Sequence, residues 1–205
     1  MAEWKRAGAA RTDFADLIAG LSPEQLEQQS LCDAWTARGV LCHVTGFVET
    51  GALGMIGAMI RSRFDFDKMS LAMADKQLAR PVDDVIAALR SKATKSAPMP
   101  GFPEEMTMSD VAIHTQDVRR PLGLSGSLPE ATVRNALDFI TGHKMGSTLI
   151  ANRPTLEGVA LTATDMDWSF GEGAEISGPA ESLMMALAVR PVLDELSGPG
   201  VDRWR

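Results

Sequence analysis

Residues 36–47 read TARGVLCHVTGF and decide the fold that we expect for this chain. Thr36 is a favourable N-cap, because its hydroxyl can accept a hydrogen bond from the first turn of a helix. His43 follows Val40 and precedes Phe47 at the three- and four-residue intervals that place side chains on one helix face. The apolar pattern continues, and it predicts one long buried helix over residues 37–62 with His43 on its inner face.

This predicted helix contains four glycines, at residues 46, 51, 54 and 57. Each one weakens a helix by roughly 1 kcal/mol relative to alanine. Three of them are spaced by three residues, which indicates a face where another helix or a second subunit approaches closely. A homodimer through this helix is therefore one expectation.

Other segments predict further helices and, near the C-terminus, strands. The predicted helices cover residues 3–20, a short turn after the capping box at residues 22–25, and segments that begin at Pro81, at Thr107 (ending at Pro121) and at residues 127–130. Residues 63–80 are predicted to be a loop with one helical turn, and residues 93–106 a loop.

The pattern changes after residue 150. Val159, Leu161 and Ala163 alternate with Thr162 and Thr164, which is typical of a half-buried strand. Short strand segments follow near residues 168–170 and 175–176, and Pro179 opens a last helix. The expected fold class is mainly α, with a helical bundle over residues 1–150 and a small strand–strand–helix (α/β) appendage over residues 151–205.

Composition narrows the functional class. The chain has 205 residues and a net charge of −7, so it lacks the basic surface of a nucleic-acid-binding protein. Two cysteines make no disulfide framework, and the N-terminus lacks the apolar core of a signal peptide. The apolar stretch at residues 40–60 contains His43 and Glu49, which favours a buried helix over a membrane span. We expect a cytoplasmic protein with no membrane and no nucleic-acid partner.

His43, Asp110 and His114 are the candidate metal ligands. Asp110 lies four residues before His114, so the two side chains share one helix face. Two imidazoles and one carboxylate would leave open positions on a divalent cation, as catalytic sites do. Each residue has a structural alternative: the histidines could be core residues bonded to backbone carbonyls, and Asp110 could close a capping box that begins at Thr107. His143 is a weaker candidate, and Cys42 is expected to be a packing residue.

Two stretches resemble the signatures of a known family. Residues 30–44, SLCDAWTARGVLCHV, resemble the first signature of the mycothiol-dependent maleylpyruvate isomerases, within the DinB/YfiT-like superfamily. Residues 110–123, DVAIHTQDVRRPLG, resemble the second signature. Residues 164–168, 173–179 and 186–190 are similar to the C-terminal part of the family, so the resemblance covers nearly the whole chain in matching order.

The resemblance implies a DinB-like four-helix bundle that binds a divalent metal through His43, Asp110 and His114. Relatives use a low-molecular-weight thiol such as mycothiol or bacillithiol. The isomerase has glutamate where this chain has Asp110, so the carboxylate could also act through a water. The C-terminal appendage is shorter as well. Arg119 and Arg190 are candidates for binding the carboxylate of the thiol cofactor, with surface or helix-end arginines as the alternative.

The functional hypothesis follows from these residues and the resemblance. A divalent metal favours the thiolate form of a bound thiol, and the thiolate attacks small electrophiles. Such an enzyme would be a thiol-dependent isomerase or S-transferase. Zinc is the first choice of metal, although nickel and iron suit the same ligands. Asp117 could orient a ligating imidazole or pair with a neighbouring arginine. The alternative function is a non-catalytic bundle that binds a metal or a small ligand.

Overall fold

The computed structural model describes residues 4–95, 102–146, 150 and 154–205. The predicted fold class is confirmed, because these residues are mainly helical and include a small three-stranded sheet. The α-helices and strands described are α1 (Lys5–Ala19), α2 (Pro23–Leu26), α3 (Ala37–Glu49), α4 (Ala52–Arg61), α5 (Phe66–Leu78), α6 (Val82–Ser91), α7 (Glu104–Arg119), α8 (Glu130–Gly142), β1 (Val159–Ala163), β2 (Ser169–Gly171), β3 (Ala174–Gly178) and α9 (Ala180–Leu187).

The chain divides into two compact units. The first comprises Met1–Thr107 and Asp117–Leu124, and the second comprises Met108–Gln116 and Ser125–Arg205. The helix α7 is continuous and contributes residues to both. The boundary expected near residue 150 stays a prediction, because residues 147–149 and 151–153 lie outside the described part of the chain.

In the first unit α3 packs against α1, α5 and α6. Two predicted helix starts are confirmed: Ser22 and Gln25 form a reciprocal capping box, and the Thr36 hydroxyl accepts from the backbone N–H of Gly39 at 3.2 Å. Val40, Leu41 and Val44 are buried on α3. The helix predicted to begin at Pro81 is present as α6, and Val85, Ile86 and Leu89 are buried on it.

The prediction of one helix over residues 37–62 is wrong. Thr50 and Gly51 are both extended and separate α3 from α4. The Thr50 hydroxyl donates to the Gly46 carbonyl at 2.7 Å, which satisfies a carbonyl at the end of α3. The apolar pattern continues past this break because Leu53, Ile56 and Ile60 of α4 are apolar, but the structure exposes these side chains instead of burying them.

Within the described ranges, no helix combines the length and apolar character that a membrane crossing needs.

The prediction of a loop over residues 63–80 is also wrong, because most of this segment is the helix α5. Asp65 caps its start by accepting from the backbone N–H of Lys68 at 3.0 Å. Met69 and Met73 are buried, but so are the polar Ser70 and Gln77, and this mixture hid the helical period from the sequence pattern.

Another helix approaches closely at Gly46, which lies outside the three-residue spacing on which the expectation was based. A Cβ atom on Gly46 would lie 3.2 Å from the Met73 carbonyl oxygen of α5, whereas Gly51 and Gly57 face open space. A side chain at residue 46 would therefore press directly on backbone. Of the four glycines, Gly46 alone lies against another helix, because a Cβ on Gly54 would meet only the Thr50 side chain at 3.1 Å.

The second unit contains the sheet, in the order β2–β1–β3. β1 pairs antiparallel with β2 and parallel with β3, and the buried side chains of Val159, Leu161 and Ala163 confirm the predicted alternation. After β2 the chain crosses to the other edge of β1 at Gly173. A Cβ there would collide with the carbonyl of Gly158, and the φ of +135° also favours glycine. The helix α9 follows Pro179 as predicted, and it packs on α8 and the sheet.

A half-buried carboxylate joins three segments of the first unit. Glu49, at the end of α3, accepts from Arg80 at 2.5 Å and from Lys92 at 2.6 Å. Burial by itself would raise the pKa of Glu49, but the hydrogen bonds and charges of Lys92 and Arg80 outweigh it and lower the pKa. The ion cluster therefore stabilises the fold when Glu49 is ionised.

We expect Glu49→Gln to lower the free energy of unfolding by about 1–2 kcal/mol at pH 7, because two charge-assisted hydrogen bonds are weakened. A lowered folded-state pKa contributes stability above the unfolded-state value and loses it as pH falls through the folded-state value. The difference from wild type should therefore shrink below pH about 4. Urea unfolding at several pH values measures it, with the exposed Glu172→Gln as control. An effect independent of pH would contradict the ion-cluster explanation.

Candidate metal centre

His43 lies in the middle of α3 and is 5% exposed. Its Nδ1 forms a hydrogen bond with the Ser70 hydroxyl of α5 at 2.8 Å. The alternative interpretation of His43 as a core residue expected a backbone carbonyl as its partner. Trp35 stacks on the imidazole with ring centroids 4.3 Å apart, and Phe47 meets it edge-on at 5.1 Å. The ring is therefore held through Nδ1, which makes Nε2 the nitrogen through which it would bind a metal.

Asp110 and His114 lie on α7. The helix begins at Glu104 rather than at Thr107, so the prediction of a helix start at Thr107 is wrong. Pro103 precedes the helix, and Glu104 and Glu105 occupy its first turn, where carboxylates are stabilised by the helix dipole. Asp110 therefore lies inside the helix, and its capping-box alternative does not apply.

The two α7 side chains face each other as their spacing predicted. Nε2 of His114 lies 3.6 Å from an Oδ1 oxygen of Asp110. The imidazole is 8% exposed and the carboxylate 27% exposed, so solvent reaches this pair from the side of Asp110.

His43, Asp110 and His114 form a group that could hold a metal ion. One nitrogen from each imidazole and one oxygen from the carboxylate all lie within 4.8 Å of one another. Bonds of about 2.0–2.2 Å keep two ligands of the same zinc-like ion within about 4.4 Å of each other. The donor set of two imidazoles and one carboxylate suits zinc, nickel or iron equally well.

Residues 7–101 match the mycothiol maleylpyruvate isomerase N-terminal domain. This range contains His43 and ends before α7. The predicted family resemblance is thereby confirmed over that part of the sequence. No curated protein matches the chain.

The fold also resembles solved structures. The mycothiol-dependent maleylpyruvate isomerase matches with a TM-score of 0.55 and 14% identity, over 96% of this chain and 91% of that chain. A variant of that enzyme in which one histidine is replaced by alanine matches with the same values. At this identity the likeness shows the shared fold, and it covers the helices and the sheet together.

The arginines expected to bind a thiol cofactor have different surroundings. Arg119 ends α7, and within the described residues its buried Nε and Nη1 have no hydrogen-bond partner. Arg190 follows α9, and its Nη1 donates to the carbonyl of Ala188 at 2.8 Å. Asp117 is fully buried on α7, where its backbone carbonyl accepts from the N–H of Leu31. The roles expected for these three residues stay predictions.

His143 and Cys42, the weaker candidates, both lie in packing environments. His143 ends α8, stacks on Phe139 at 4.8 Å and accepts at Nδ1 from the backbone N–H of Met145. Cys42 is buried, and desolvation raises the pKa of its thiol to about 11. Ser70 and Trp35 are the contacts of His43 that the sequence analysis missed. Ser70 was missed because its segment was predicted to be a loop. Trp35 was missed because it precedes the predicted helix.

The two cysteines should differ in reactivity. Burial and a pKa of about 11 keep Cys42 protonated near neutral pH, whereas Cys32 is only half-buried. We expect a thiol reagent at pH 7.5 to modify one thiol per folded chain rapidly and two after denaturation. Mass spectrometry of the modified peptides identifies the site, and Cys32→Ser should abolish the fast reaction. Rapid labelling of Cys42 in the folded protein would contradict the assignment.

Proposed function

We propose that this chain is a metal-dependent enzyme that activates a low-molecular-weight thiol, mycothiol or a similar one, for addition to a small electrophile. The reaction would be either an isomerisation or an S-transfer. The grouping of His43, Asp110 and His114 carries the proposal, because their donor atoms lie within 4.8 Å of one another and have the chemistry of a three-ligand divalent site. The family match over residues 7–101 supports the choice of thiol.

In this proposal His43 and His114 would hold the cation through imidazole nitrogens, and Asp110 would offset part of its charge. When bound, the cation lowers the pKa of a coordinating thiol and so favours the thiolate, which is the nucleophilic form. Zinc is the first candidate, and nickel and iron suit the same residues. Ser70 keeps the His43 ring oriented through Nδ1, as an outer partner of a metal-ligating histidine does.

An external thiol is favoured because the nearest cysteine in the sequence is a poor nucleophile. Cys42 precedes His43 by one residue but is buried, and its raised pKa keeps it in the thiol form. Arg119 and Arg190 are proposed to bind carboxylates of the thiol cofactor. Arg119 supports this role with buried guanidinium N–H groups that an anionic ligand could satisfy.

The homodimer and the cytoplasmic location stay predictions. The helix α4, part of the segment expected to pair, exposes Leu53, Ile56 and Ile60. Light scattering of the purified chain would test the oligomeric state directly.

Metal content tests the ligand set first. We expect about one divalent metal ion per chain by elemental analysis, and loss of that metal in His43→Ala and His114→Ala. His143→Ala, which removes the histidine at the end of α8, is the matched control and should keep the metal. Asp110→Asn should weaken binding by roughly tenfold or more, and Asp110→Glu should retain binding. Full metal content in both His43→Ala and His114→Ala would overturn the ligand assignment.

Thiol turnover distinguishes the enzyme from a binding module. We expect the metal-loaded protein to accelerate loss of mycothiol with monobromobimane above the uncatalysed rate, and His114→Ala to abolish the acceleration. The assay uses a Cys32→Ser background so that the protein's own thiol does not consume the reagent. Stoichiometric metal without turnover across a panel of thiols and electrophiles would favour the non-catalytic alternative.

The arginines are tested through the KM for the thiol. Arg119→Gln and Arg190→Gln should each raise this KM by about tenfold to a hundredfold, because a charge-assisted hydrogen bond to a carboxylate is lost. Metal content should not change. Arg61→Gln, on the exposed end of α4, is the control, and an unchanged KM in both arginine variants would refute their role.

A further inference from the structure

We propose that Trp35 is a positioning residue that holds the His43 imidazole in its metal-binding orientation, and that Gly39 makes this contact possible. The inference rests on the proposed metal site. It adds two residues that bind no metal themselves: Trp35 in the connector before α3, and Gly39 in the first turn of α3.

The spacing of these residues sets up the contact. Trp35, Gly39 and His43 follow one another at intervals of four residues, which places them along one face of the chain as it enters α3. A Cβ atom on Gly39 would lie 2.8 Å from Cβ of Trp35 and 3.1 Å from its Cδ1. Only glycine leaves room for the indole to lie along the helix, and the ring then reaches His43.

The connector holds Trp35 through its backbone. The Trp35 carbonyl accepts from the Ser30 hydroxyl at 2.7 Å and from the Gln29 side chain at 2.8 Å, and its N–H donates to the Cys32 carbonyl at 3.0 Å. These bonds restrict the backbone from which the indole projects. The ring is therefore presented by an ordered turn.

The indole completes a set of contacts around the His43 ring. Its plane lies 30° from that of the imidazole at a centroid distance of 4.3 Å, while Ser70 binds Nδ1 and Phe47 meets the ring edge-on. A rotation of the imidazole about its χ2 angle would break the Ser70 bond, and any rotation that tilts the ring plane would also disrupt the stacking. The folded chain thus orders the ring before metal binding, and such preorganisation increases affinity.

Zinc affinity separates positioning from mere packing. We expect Trp35→Leu to weaken Zn²⁺ binding by about tenfold in competition with a chromophoric chelator at constant pH. Trp35→Phe should stay within about threefold of wild type, because an aromatic ring can still stack. Gly39→Ala should resemble Trp35→Leu, since the added Cβ displaces the indole. Trp168→Phe, which alters a buried tryptophan of the second unit, is the matched control and should bind zinc normally.

A second measurement needs no metal. The chain has only three histidines, so ¹⁵N–¹H spectra of the metal-free protein can follow each imidazole separately. Trp35→Leu should shift and broaden the His43 ring signals and leave those of His143 unchanged, whereas Trp35→Phe should largely restore the His43 signals.

The outcomes distinguish this inference from the proposed function. Unchanged zinc affinity together with unchanged His43 signals in a folded Trp35→Leu variant would overturn the positioning role, and any loss of stability would then reflect packing alone. If wild type binds no zinc, the proposed function fails. The His43 signals still decide in that case whether Trp35 orients the ring.

Discussion

A buried imidazole needs a polar partner, and this requirement at His43 is the constraint on which the candidate site depends. Apolar neighbours surround the ring on α3, so an unpartnered nitrogen there would cost free energy. Ser70 meets the requirement through Nδ1, which leaves Nε2 as the nitrogen for the proposed metal. One hydrogen bond thus satisfies a polar atom of a core residue and fixes the orientation of its ring.

That hydrogen bond depends on the packing of α5 against α3. Gly46 allows the backbone of Met73 to approach closely, and Met73 lies on the same helix as Ser70. Glu49 then links the end of α3 to Arg80 and Lys92, on either side of α6 in sequence. The glycine and the ion cluster act at separate points along α3, and together they position the helix that carries Ser70. The contacts that stabilise the packing of α3 therefore also set the position of Ser70 relative to His43.

The sequence-based predictions succeeded where the signal was local. Thr36, the Ser22 capping box and the alternating residues of β1 each specify a neighbouring backbone conformation, and the structure confirms them. They failed where the apolar pattern misled. Exposed Leu53 and Ile56 extended the apparent helix across the break at Thr50 and Gly51, while buried Ser70 and Gln77 concealed α5. The periodicity of a sequence shows where apolar side chains occur, but tertiary packing decides whether those side chains are buried.

The sequence by itself determined the pairing of Asp110 with His114, because residues four apart on a helix share a face wherever that helix packs. It also determined that His43 lies on the buried face of α3. Only the tertiary structure decided that Ser70, 27 residues further along the chain, bonds the His43 ring and that Trp35 stacks on it. It likewise decided that the three donor atoms lie within 4.8 Å of one another. Such distances depend on how helices pack, which no short-range spacing specifies.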